Sequence, residues 1–188
     1  MQRLLQSALL VVIASCGGGA ATTKPPVAEN PPMVGATANV APGQTQMLSD
    51  LQTIGIDIGK DTDLAALDLE KKKKVMKLFV KSLGVDCGGC HADDFKEDTV
   101  NKRIARHMWS DFVAKLRDAQ GNPIFCDSCH QGKAKIINRD DDKVLAAFMK
   151  ANYVEKMQRA DKAEHKCATC HGEPFQPDIF KNVFHAEK

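Results

Sequence analysis

Ile104, Met108, Phe112 and Leu116 stand four residues apart, and so do Leu145, Met149, Tyr153 and Met157. Side chains at that spacing share one face of a helix, so each set predicts a helix with a single apolar stripe. The two sets superpose without a gap at a shift of 41 residues, which also carries Val113 onto Val154 and Cys126 onto Cys167. End signals agree with this pattern. Thr99 can cap the first of these helices, Gly121-Asn122-Pro123 stops it, and the acidic run Asp140–Asp142 complements the dipole at the start of the second. A related helix runs from about Asp63 to Leu83 and stops at Gly84. Its Phe79-Val80 resembles Phe112-Val113, Met76 lies nearby, and the turn that follows is shorter. The expected fold class is mostly α, built as three units of helix, turn and cysteine motif.

Each unit ends in the same kind of pentapeptide: Cys87-Gly88-Gly89-Cys90-His91, Cys126-Asp127-Ser128-Cys129-His130 and Cys167-Ala168-Thr169-Cys170-His171. Cys-x-x-Cys-His reads as a c-type haem attachment site. Two thiols at that spacing reach the two vinyl groups on one edge of a porphyrin, and the next residue swings an imidazole beneath the iron. The expected cofactors are three haem c, held covalently by Cys87, Cys90, Cys126, Cys129, Cys167 and Cys170, with His91, His130 and His171 as proximal ligands. Paired cysteines also suit zinc or a disulfide-stapled fold. Neither requires a histidine directly after the second cysteine, yet all three copies have one.

The sixth iron position is contested between two residue types. Electron-transfer cytochromes use His/Met or His/His, and methionine raises the potential. Outside the motifs the chain has His107, His165 and His185, a count that suits three bis-His haems. The repeat points to methionine instead. Met108 and Met149 coincide on the stripe, whereas His107 falls on Phe148 and His165 on Ile124. A ligand needed once per module should recur once per module. A methionine on an apolar stripe is also ordinary core filler, which is how Met157 reads. His107 lies about 100° around the helix from Met108, so only one of them can face a given haem.

Residues 1–15 have a basic start at Arg3, an apolar run from Leu4 to Ile13 and small residues before Cys16. That is a secretory signal, too short to span a membrane. Its ending, Ile13-Ala14-Ser15-Cys16, resembles a bacterial lipobox with Cys16 as the lipidated residue. Export agrees with the motifs, because bacterial c-type haem is attached outside the cytoplasmic membrane. Residues 16–46 hold five of the eight prolines and lack apolar periodicity, as expected of a flexible linker. The expected location is the periplasmic face of a membrane, with the outer membrane favoured because Gly17, not Asp, follows Cys16.

Residues 47–188 have the length of one domain. Aromatics make up 5% of the chain, with one Trp and one Tyr, so large flat cofactors would supply much of the core. Removal of the signal leaves 25 basic and 24 acidic residues, and nothing in that balance suggests nucleic acid. The run Lys71–Lys74 reads as a solvated helix face, with docking of an acidic redox partner as the alternative.

Three stretches carry a family resemblance. Val75-Met76-Lys77-Leu78-Phe79 leads on to Ser82-Leu83-Gly84-Val85-Asp86-Cys87. Lys102-Arg103-Ile104-Ala105-Arg106-His107-Met108 and Phe125-Cys126-Asp127-Ser128-Cys129-His130-Gln131-Gly132 follow. Together they resemble the multihaem cytochrome c subunit of photosynthetic reaction centres and its shorter non-photosynthetic relatives, over roughly residues 70–135. The resemblance implies that a helix before each motif supplies the sixth ligand, here Met76 for the first haem and Met108 for the second. Met149 follows from the internal repeat. Three motifs stand where that subunit has four, which separates this chain from its bis-His haem and its photosynthetic partner.

The expected function is single-electron transfer through three haems, between a donor and an acceptor redox protein, from a lipid-anchored position at a membrane. A multihaem redox enzyme or haem sensor acting on a small oxidant is the alternative. An enzyme needs an open iron position and groups that move protons, and the sequence has no Cys-x-x-Cys-Lys variant and no acid–base pair.

Overall fold

The protein is described by a computed structural model covering residues 36–172, 174 and 175, so Cys16 and His185 lie outside the described residues. It is mostly helical, as expected. Helix α1 spans Leu48–Thr53 and α2 spans Leu69–Leu83. Helix α3, Val100–His107, runs straight on into a π-helical turn, Met108–Val113. Strand β1, Leu116–Asp118, precedes the short helix α4, Cys126–His130. The same series then recurs as α5 (Asp142–Met149), a π turn (Lys150–Val154), β2 (Met157–Arg159) and α6 (Cys167–His171).

The start signals and the Gly84 stop act as their chemistry requires, whereas Gly121-Asn122-Pro123 falls after β1 and is not what ends its helix. Asp68 caps α2 by accepting from the Lys71 amide, and Gly84 ends it in the left-handed region at φ 63°. Thr99 caps α3, and Asp141 caps α5 by accepting from the amides of Lys143 and Val144. Helix α2 buries Val75, Phe79 and Ser82, a spacing of four and then three that lines one face. Its lysine run begins along the same face and is partly tied down there, with Lys73 and Lys74 exposed. Lys71 and Lys72 donate to the carbonyls of Gly55 and Ala65, both at 3.1 Å, and Lys73 pairs with Glu70.

Two expectations are corrected. The first helix was expected from Asp63, but Leu64–Ala66 form a separate 3-10 turn and α2 starts at Leu69. The repeat helices were expected to carry their stripes through Leu116 and Met157, yet both residues open β-strands. The cause is the π turn. The Ala114 amide bonds back to Trp109 O and the Glu155 amide to Lys150 O, each five residues earlier, which ends the helix before the last stripe position. Leu116 and Met157 remain buried regardless, now from strands.

The two strands pair antiparallel, Leu116 with Arg159, Arg117 with Gln158 and Asp118 with Met157. A shift of 41 residues maps Arg117 onto Gln158 and exchanges the outer pairs. The strand pair therefore carries a local two-fold axis relating the second and third modules. A small apolar cluster of Leu116, Ile124, Met157 and Phe175 packs at this junction.

The main core lies on the other side of α4. It gathers Met47, Leu51, Ile56, Ile58 and Leu64 from the N-terminal part, Val75 and Phe79 from α2, and Trp109, Val113 and Phe125. Few aromatics suffice because three of them meet. Phe79, Trp109 and Phe125 have ring centroids 5.6–6.1 Å apart, and the Trp109 N–H donates to Asp61 O at 2.7 Å.

Residues 39–46, expected to belong to the flexible linker, are held by the fold. Asn39–Gln46 form a strap along the second motif. The Val40 amide donates to Ile136 O, the Gly43 amide to Ser128 O, and the Tyr153 hydroxyl to Val40 O at 3.0 Å. These are backbone and polar bonds, which explains why apolar periodicity gave no sign of them.

The end of α2 and the end of α4 approach closely. The Gly132 amide donates to Ser82 O at 2.8 Å, and a Cβ added to Gly84 would sit 2.1 Å from Gly132 O. Gly84→Ala should therefore cost more than the ~1–2 kcal/mol of a left-handed alanine alone. Gly121, at φ 85° with nothing within 4 Å of its Cβ position, is the control and should cost only the backbone term as Gly121→Ala. Denaturant midpoints of the two variants check the difference.

Candidate functional site

The second and third motifs are built alike. In each, the third residue is a buried hydroxyl that accepts from the amide just before the first cysteine. Phe125 N–H donates to Ser128 Oγ at 3.2 Å, and Lys166 N–H to Thr169 Oγ1 at 3.0 Å. That bond starts a single helical turn, which puts both cysteines and the histidine on five consecutive residues of α4 and α6. The first motif has Gly89 in the hydroxyl position. There the Asp86 carboxylate takes the Gly89 amide instead, and Cys87–Gly89 form a 3-10 turn. Two adjacent glycines favour neither helix nor strand, which fits the looser turn. Module two holds this first motif through Thr99, whose hydroxyl donates to Cys90 O, and Asn101, whose amide donates to Gly89 O.

Among the described residues the six motif cysteines form no disulfide with one another. Burial pushes the thiols up. Cys129 reaches about 12 through burial, then the neighbouring Asp127 and Cys170. Cys170 reaches about 11 through burial and Cys167. Cys126 is raised further still, by burial, Cys129 and Asp127, with Cys90 adding to it. Cys90 is raised by burial and by Cys87. Cys87 and Cys167 are exposed. Cys90, Cys126, Cys129 and Cys170, by contrast, sit in surroundings that disfavour thiolates.

His130 is fixed by its backbone. Its Nδ1 lies 2.8 Å from Lys133 O, and burial lowers its pKa below the usual histidine value despite that bond. A neutral ring donating from Nδ1 leaves the Nε2 lone pair to bind a metal. His91 stacks on Phe95 with centroids 4.8 Å apart, and burial followed by the charge of Lys102 also keeps it neutral. His171 is exposed at the end of α6.

The remaining ligand candidates fall in distinct places. Met108 opens the first π turn and Met149 immediately precedes the second, so both stand at an α-to-π junction. Both are half-buried, and neither belongs to an apolar cluster. Met76 packs against the main core from α2. Met157 is buried in the smaller cluster. His107 turns Nδ1 toward Asp111 at 3.2 Å, and Asp111 also pairs with Lys115. His165 sits where the repeat has Ile124. Its Nδ1 lies 3.1 Å from Met157 O and 3.3 Å from Val154 O, and its Nε2 is enclosed by protein without a partner.

Sequence reasoning missed two participants. Asp127, inside the second motif, is buried and takes both the Thr45 hydroxyl at 2.6 Å and the Gln46 amide at 2.7 Å, which pins the strap. Tyr153 ties the strap to the third module, and burial together with nearby Cys129 raises its pKa. The matching positions, Ala168 and Phe112, cannot make these bonds, so the departures from the repeat were the available signal.

Comparison with protein families, with curated proteins and with solved structures gives no match. Among the described residues no three His, Cys, Asp or Glu side chains converge on a point that would hold a metal ion, and no helix is long and apolar enough to cross a membrane.

Asp127→Ala should release the strap, because it strands two donors at a cost of about 1–3 kcal/mol. Proteinase K should then cut within residues 36–46 faster than in the parent protein. Thr45→Val, which removes the bond to Asp127 and the one that the Thr45 hydroxyl accepts from the Met47 amide, should also speed cutting.

Proposed function

We propose that the chain is a lipid-anchored trihaem c-type cytochrome that passes single electrons between redox proteins at the periplasmic face of a bacterial membrane, the outer membrane favoured. The observation that carries this reading is the repeated setting of Cys126–His130 and Cys167–His171. The same hydroxyl bond starts each motif helix, and the same α-to-π junction before it presents a methionine. Three haem c, three pairs of cysteines and three proximal histidines follow, with His91, His130 and His171 in that role. Export and anchoring rest on residues 1–16 alone.

The residues fit the group on several counts. Apolar burial of Cys90, Cys126, Cys129 and Cys170 suits neutral thioethers better than zinc-bound thiolates. A zinc ion needs about four converging ligands, whereas a porphyrin brings its own four nitrogens and asks the chain only for axial ones. His130 offers Nε2 while Lys133 O holds Nδ1. Met108 and Met149 stand half-buried outside the packed clusters, free of a filler role. His165 keeps a buried, unpartnered Nε2 and is the alternative to Met149 at the third haem. Met76 is the least free of the proposed distal ligands, because it packs against the core.

When bound, the haem supplies a one-electron ferric/ferrous couple. The chain's share is to fix the axial atoms, hold the thioether edges in apolar surroundings and exclude water from them. Partners are then a one-electron donor and acceptor.

The mature protein should carry three covalent haems that survive acid-acetone extraction, and Cys126→Ala with Cys129→Ala should leave two by mass. Zinc, or no bound group, would overturn the reading.

Met108→Leu should keep the apolar surface yet empty the sixth position of the second haem. The near-infrared sulfur-to-iron band of that haem should vanish, and the reduced protein should bind carbon monoxide at one site. Met108→His should lower its potential, because a second imidazole favours ferric iron over a thioether's preference for ferrous. His107→Ala should leave band and potential unchanged.

A further inference from the structure

We infer that the three cysteine motifs stand in a row with Cys126–His130 in the middle, so that the first and third communicate only through the second. This rests on the cytochrome reading and adds the order of the relay, which sequence order alone does not fix.

Both neighbours pack against the surroundings of the middle motif, each through a different apolar cluster. On the first side, Gly132 bonds to Ser82 O and lies against Gly84, three residues before Cys87. Phe125, directly before Cys126, meets Phe79 of α2 at 5.6 Å, and Cys126 itself packs against the main core. On the third side, Cys170 packs with Leu116, Ile124 and Met157 in the smaller cluster, where Ile124 stands two residues before Cys126. The Ala160 amide bonds across to Lys115 O at 2.8 Å beside the paired strands.

The thiols show the same division. Cys126 lies within electrostatic reach of Cys90, and Cys129 within reach of Cys170. A cofactor held at the middle motif would then neighbour those at both others, through the main core on one side and the smaller cluster on the other. In each transfer one electron leaves a ferrous iron and arrives at the adjacent ferric iron, with no bond made and no proton moved.

Redox titration followed optically, with electron paramagnetic resonance of the oxidised protein, tests the order. In the parent protein, reducing one haem places an added negative charge beside its neighbour, so the titration curves should interact and the resonance signals should be split or broadened. Cys126→Ala with Cys129→Ala should abolish this. The two remaining haems should each follow an independent one-electron curve with an unsplit signal. Cys167→Ala with Cys170→Ala should leave the first and second coupled.

Coupling that persists between the outer haems without the middle one would overturn the order, as would loss of first–second coupling on removing the third. Should the middle variant not accumulate, His130→Met in the otherwise intact protein shifts the middle potential, and both outer curves must move with it. Movement of only one overturns the inference. Haem content by mass separates the two levels. Fewer than three haems in the parent protein defeats the cytochrome reading, whereas three haems with the wrong coupling defeat only the row.

Discussion

Phe125 enters the core one residue before Cys126, and its ring lies 1% exposed between Phe79 and Trp109. A buried phenylalanine of this kind is worth about 3–5 kcal/mol against alanine. The position matters more than the magnitude. Phe125 is covalently next to the motif, Phe79 belongs to the helix that leads to the first motif, and Trp109 lies in the π turn of the second module. One contact therefore sets the start of α4 relative to two other units. The Ser128 hydroxyl then turns the chain at once into the motif helix, without slack between core and cysteines.

The repeat supplies the second constraint. A π turn is a poor way to end a helix on local energetics alone, yet it occurs at the same place in both modules. Its effect is to interrupt the helix just after Met108 and Met149, rotate the chain, and deliver Leu116 and Met157 into paired strands. The strand pair is short, three residues each, and would be marginal by itself. It survives because Leu116, Ile124, Met157 and Phe175 are buried beneath it. Local two-fold symmetry follows from antiparallel pairing of equivalent residues, with Arg117 opposite its own counterpart Gln158.

Much of this was legible in the sequence. The 41-residue period, the cap at Thr99, the acidic run at the start of α5 and the stop at Gly84 announce themselves through residue type and spacing. The helical turn of the second and third cysteine motifs was not foreseen. The strands did not announce themselves either, because Leu116 and Met157 keep the spacing of four that a helix would need, and a π turn carries no residue signature. The strap escaped for a different reason. Asn39–Gln46 is held by carbonyls, amides and the Asp127 carboxylate, and a pattern search on apolar residues cannot see such bonds. Among the candidate site residues, the cysteines and the histidines that follow them form a contiguous motif that spacing reveals, whereas Met76, Met108 and Met149 stand out only by their place on a helix.

Several of the positions at which the modules differ lie around the middle motif. Trp109 answers to Lys150, Ile124 to His165, Asp127 to Ala168 and Phe112 to Tyr153. Module two keeps the apolar member at the first two positions and is enclosed by core, strap and strands. Module three takes the polar member there and lies at the edge, with Cys167 and His171 exposed. Two sites with one geometry thus sit in unlike dielectric surroundings. On the cytochrome reading that is a means of separating potentials without changing ligands, since burial disfavours the more highly charged ferric state while a nearby carboxylate such as Asp127 favours it. On the same reading the second site's potential would rest on the balance between an apolar wall and one buried acid, whose carboxylate the Thr45 hydroxyl and the Gln46 amide already engage.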